Sequence, residues 1–110
     1  MGEEKYNKLV RDRIPELLRQ QGKICETVVL SDREYIEKLK EKLKEEVDDF
    51  IKAQPDKLAS EIADVLEVLY ALAEHKGISE AELDFTRQMK KRQRGSFRGK
   101  VLLKSVNTLQ

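Results

Sequence analysis

Very few residues of this chain are of the types that usually make a small protein rigid: there is one cysteine, there are two prolines, and there is no tryptophan. The lone Cys25 excludes an intrachain disulfide framework. Three tyrosines and three phenylalanines leave aromatics at 5% against 39% charged residues, a balance that disfavours a β-sandwich and favours a small helical protein with long solvated faces. Charge of one sign is also missing. With 22 Lys plus Arg against 21 Asp plus Glu the net charge is +1, so no overall field draws the chain to nucleic acid or an anionic membrane, and anion binding must come from local clusters. No stretch approaches the roughly 20 apolar residues that cross a bilayer, and MGEEKYNKLV lacks the apolar run of a signal peptide. A soluble cytoplasmic protein is expected, with no membrane partner and no stable nucleic-acid partner. The length of 110 residues fits one domain, taken as 1–110.

Helix punctuation, by contrast, is plentiful. Two S-x-x-E capping boxes, Ser31 with Glu34 and Ser79 with Glu82, each predict a helix start. The first helix should run from about Asp32 to Ala53, where Pro55 ends it, with Tyr35, Ile36, Leu39, Leu43, Val47 and Phe50 at helical spacing. The second should start at Asp56 as N-cap and end near His75, with Gly77 as the left-handed stop. The third follows Ser79 and fades around Arg94. A shorter helix of about two turns is expected around Pro15, stopped by Gly22. The β-branched runs at 24–30 and 101–103 predict extended segments or short strands, a possible pair. The fold class is all-α: a helical bundle with short extended N- and C-terminal segments.

Four carboxylates interrupt this pattern. Glu46 borders the apolar stripe of the first long helix with Asp49 beyond it, and Glu61 and Asp64 sit on the second, which is apolar almost all round. If the two helices pack antiparallel through their short connection, both i,i+3 pairs can face one another. At ~5 Å and an effective dielectric of about 20, each like-charge pair costs roughly 3 kcal/mol. The acids must then protonate, pair with Lys or Arg, or bind cations; all-oxygen ligands without His or Cys favour Mg²⁺ or Mn²⁺ over zinc. Taken alone, Glu46/Asp49 also read as an ordinary solvated face of a Lys-rich helix, whereas the apolar flanks of Glu61/Asp64 make that unsuitable for the second pair.

The string LKEEVDDF at 43–50 followed by EIADVLEVLYAL at 61–72 resembles the EExxE…ExxD signature of the all-α NTP pyrophosphohydrolases, the MazG-like superfamily. YNKLVRDRIPELL, VLSDREYIEKLKEKLKEE and KKRQRGSFRGKVLL look like its small phosphoribosyl-ATP pyrophosphohydrolase-like branch, so the resemblance covers nearly the whole chain. It implies hydrolysis of a nucleoside triphosphate to monophosphate and pyrophosphate, with Mg²⁺ held by Glu46, Asp49, Glu61 and Asp64 and with Glu45 as general base. It further points to Lys8 and Arg11, and to Lys91 and Arg94, as the cations that hold the phosphates. Two departures stand out: Asp49 where the signature has Glu, and Ser96 within a more usual Gly-Gly-Phe.

Two rival functions remain at this level. One keeps the chemistry and changes the substrate to phosphoribosyl-ATP; the other is a non-catalytic helical dimerisation or regulatory module whose acids only bind Lys or Arg. Because residues 58–73 need apolar cover on most sides, completion of the bundle by a homodimer or homotetramer is expected. His75, at a helix end, is expected as a favourable charge on the C-terminal dipole.

Overall fold

A computed structural model describes residues 6–109. It contains α1 (Ile14–Gln20), α2 (Asp32–Lys52), a single 3-10 turn (Pro55–Lys57), α3 (Leu58–His75) and α4 (Glu80–Arg94). The fold is therefore all-α, as expected.

Both capping boxes form. Ser31 Oγ accepts from the Glu34 backbone N–H at 3.3 Å, and Ser79 Oγ accepts from that of Glu82 at 3.1 Å, each meeting one of the N–H groups left over by a helix start. At the other end of α2, Gln54 is extended (ψ 152°), the conformation that the following Pro55 imposes, and Ala53 before it is extended as well (ψ 140°). Here the structure corrects one expectation: Asp56 does not cap α3. Pro55 instead opens the 3-10 turn, Asp56 lies inside it, and α3 begins at Leu58 without a side-chain cap. Gly77 does adopt the left-handed stop (φ +79°).

The core is the α2–α3 hairpin. Leu39 and Val68 are its two buried residues, with Ile36, Leu43, Val65 and Leu72 half-buried around them. The helices are antiparallel: the Tyr35 ring near the start of α2 meets the His75 ring at the end of α3 edge-on, centroids 5.6 Å apart. Burial, then the nearby Glu74 and Asp12 carboxylates, push the Tyr35 hydroxyl above its usual pKa. α4 packs on α3 and not on α2, and α1 packs on no other helix.

Neither 24–30 nor 101–103 forms a strand, and no strand occurs among the described residues. Ile24, Val28, Val29, Val101, Leu102 and Leu103 are all exposed, because β-branched residues stabilise a strand only against a neighbouring edge, and none is supplied. A compact chain of this length has a radius of gyration of about 13 Å. Here it is 19.4 Å, with extents of 72 × 34 × 24 Å.

Candidate metal centre

α2 and α3 run past each other so that the carboxylates of their facing segments converge. One oxygen each from Glu46, Glu61 and Asp64 lies within 4.8 Å of the other two, and all three side chains are half-buried. The helical spacing places them there: Glu61 and Asp64 share one side of α3, and Glu46 sits on the α2 face that packs against it. Asp49 lies outside this trio and is exposed, yet it is close enough that its charge acts on Glu61.

Glu61 is the acid under most electrostatic pressure. Its pKa is raised above the ordinary glutamate range, first by loss of hydration, then by Asp49, Asp64 and Glu46, with Lys57 opposing. A carboxyl whose folded pKa exceeds its unfolded value, about 4.3, binds more protons when folded. Its contribution is complete below the unfolded pKa and is lost as pH rises through the folded one. The metal-free protein is thus expected to lose stability relative to Glu61→Gln across that acid window. Urea midpoints of both proteins in chelator, taken as a pH series, check this; a constant difference would contradict it.

The other members of the cluster have cationic neighbours. Arg11 Nη2 donates to Asp64 Oδ1 at 2.7 Å, and Lys42 Nζ lies 3.5 Å from Glu46 Oε1. Glu45, exposed and next in sequence to Glu46, has Lys8 Nζ 3.9 Å from its Oε1. The structure therefore brings Lys8 and Arg11 to the acids. It does not bring Lys91 and Arg94 there within one chain: both are exposed near the end of α4, and Lys91 lines a shallow hollow with Arg87, Gln88 and Arg92. Lys42 is the residue that sequence reasoning missed. Its signal was the i,i+4 spacing to Glu46, overlooked beside the denser terminal clusters.

The donor set suits a hard divalent cation. Oxygens bonded to Mg²⁺ at about 2.1 Å stand roughly 3 Å apart when adjacent and about 4.2 Å when opposite. A trio within 4.8 Å reaches this through small side-chain movements. Nitrogen and sulfur ligands, which would favour zinc, are absent from the group.

A helical hairpin that joins carboxylates from an EExxD segment and an ExxD segment defines an all-α protein with a candidate acidic metal centre. Residues 29–101 match the model of the MazG-like family, and the chain belongs to that family. Membership is consistent with pyrophosphohydrolase-type activity on nucleoside triphosphates. No curated protein and no solved structure matches the chain significantly.

Proposed function

We propose that the chain is a Mg²⁺-dependent nucleoside triphosphate pyrophosphohydrolase that releases pyrophosphate from a standard or modified NTP or dNTP, as nucleotide house-cleaning in the cytoplasm. The observation that carries this is the meeting of Glu46, Glu61 and Asp64, from two segments separated in sequence, on the packed helices of a MazG-like chain.

Glu46, Glu61 and Asp64 would hold the metal, with Asp49 at the rim completing the set directly or through water; Mn²⁺ is the natural substitute. Bound there, the ion supplies neutralisation of phosphate oxygens and a water of lowered pKa. Glu45 would take the proton of the water that attacks the α-phosphorus, and the bond to the α,β-bridging oxygen would break, releasing pyrophosphate. Lys8 and Arg11 hold phosphate oxygens by charge-assisted hydrogen bonds. Lys91 and Arg94 enter as phosphate cations presented by a second copy of the chain.

A homodimer, or a homotetramer built from it, is part of the same proposal. Leu58, Ile62, Leu66 and Leu69 lie within about 80° of one face of α3, and each is 38–42% exposed. A monomer of 12.8 kDa is expected to expose about 6,300 Å². This chain exposes 10595 Å², well above that, and the uncovered α3 stripe is part of the excess.

The test is pyrophosphate release from a panel of NTPs, dNTPs, modified nucleotides and phosphoribosyl-ATP, with Mg²⁺ and with chelator. Metal-dependent release from at least one triphosphate is expected. Release from phosphoribosyl-ATP alone would transfer the reading to histidine synthesis. No release from any of them, with Mg²⁺ failing to bind, would leave the non-catalytic helical module.

A further inference from the structure

The acids meant for a metal are partly neutralised by the chain itself, and the strongest of these contacts comes from far away in sequence. Arg11 reaches across 53 residues to Asp64 at 2.7 Å, while Lys8 approaches Glu45 and Lys42 approaches Glu46. Arg11 belongs to the stretch ahead of α1, which lies outside any helix, and α1 itself packs on no other helix. The Arg11 side chain is 57% exposed, so little besides Asp64 fixes it. A divalent ion among Glu46, Glu61 and Asp64 would repel a guanidinium at hydrogen-bond distance from one of its own ligands twice as strongly as a single charge does. Because an exposed ion pair of this kind is weak, its loss is a small obstacle. The released guanidinium then remains beside the metal, where the oxygens of a triphosphate must come, and its planar fork suits them.

We propose that Arg11 changes partner during the binding cycle: it neutralises Asp64 in the metal-free protein, leaves when the divalent ion binds, and passes its charge to the phosphates of the incoming nucleotide. Metal and nucleotide binding are thereby coupled through one side chain. The proposal rests on the acids being a metal site, and it adds that Arg11 opposes the metal before it helps the substrate. That opposition gives it a signature no damaged fold would produce, since removing the residue must tighten metal binding.

The experiment is calorimetric titration of Mn²⁺ into chelator-stripped full-length protein. It is followed by titration, at saturating Mn²⁺, of a triphosphate whose α,β-bridging oxygen is replaced by CH₂. For Arg11→Gln the expected result is Mn²⁺ binding about two- to fivefold tighter without nucleotide, the fold-change equivalent to an exposed ion pair. Binding of the analogue should be at least about tenfold weaker, as for loss of a charge-assisted phosphate contact. Arg11→Lys should fall between, and Arg33→Gln, which removes a surface pair with Glu37, should match the wild type on both axes. If the wild type binds Mn²⁺, Glu61→Gln does not, and Arg11→Gln binds it equally or more weakly, the exchange is overturned while the metal site stands. If neither the wild type nor Arg11→Gln binds Mn²⁺, both fall.

Discussion

Glu61→Gln is expected to leave the chain folded, at least as stable as the wild type in the absence of metal, and without measurable pyrophosphohydrolase activity. The substitution keeps shape and removes a charge that three neighbouring carboxylates oppose. In metal-free protein it therefore relieves repulsion rather than creating it, the pattern of a site held at a cost to stability for the sake of function. Metal affinity should fall by at least about 100-fold, since even residues that only support a metal ligand cost 10- to 100-fold when removed. The turnover rate should fall by about 1,000-fold or more, because charge stabilisation at the reacting α-phosphate and activation of the water are lost together. Titration calorimetry with Mn²⁺, a urea melt in chelator and a pyrophosphate assay on one preparation check all three. A variant that loses activity only because it unfolds would contradict the account, as would one that keeps both metal and activity.

The second large effect is expected on α3. Leu66→Glu places a carboxylate in the middle of the exposed stripe formed by Leu58, Ile62, Leu66 and Leu69. If a second copy covers that stripe, the new charge is buried without a partner at a cost of several kcal/mol. Every 1.4 kcal/mol is tenfold in association, so the dimer should weaken by about 100-fold or more. Sedimentation equilibrium at micromolar concentration should give an oligomer for the wild type and a monomer for the variant. With Leu39 and Val68 as the buried residues of a single chain, the separated monomer should also melt at lower urea concentration. A wild-type monomer, or an unaffected oligomer in the variant, would contradict this.

The parts of the fold that could be read from sequence were those fixed by neighbours along the chain. Ser31 with Glu34 and Ser79 with Glu82 set their helices locally, and the starts of α2 and α4 fall where those residues place them. Asp56 looked equally good as a cap, but the preceding Pro55 favoured a 3-10 turn and moved the helix start to Leu58. The runs at 24–30 and 101–103 had strand-like composition without an edge to join, which no local pattern discloses.

The site divides the same way. That Glu61 and Asp64 share a side of α3 follows from their spacing, and their convergence with Glu46 follows once α2 and α3 are antiparallel. That Asp49 stays outside the closest trio does not follow, because its position depends on how far the seam between the helices stays closed. Val47 and Phe50 are already exposed near that end of α2. The apolar flanks of Glu61 and Asp64 suggested a helix covered on every side. In a single chain the acids turn toward α2, and Ile62, Leu66 and Leu69 are left exposed. The contact from Arg11 to Asp64 links residues 53 apart in the sequence and has no local signature; the resemblance carried by NKLVRD pointed to Arg11 only as a phosphate-binding cation.

The most direct test of the central claim follows the oxygen of the attacking water. Hydrolysis of the preferred triphosphate in ¹⁸O-labelled water with Mg²⁺, analysed by mass spectrometry and ³¹P NMR, should give nucleoside monophosphate carrying one ¹⁸O and unlabelled pyrophosphate. Formation of nucleoside diphosphate and labelled orthophosphate would contradict attack at the α-phosphorus, and the same labelled products in chelator as with Mg²⁺ would contradict the metal centre.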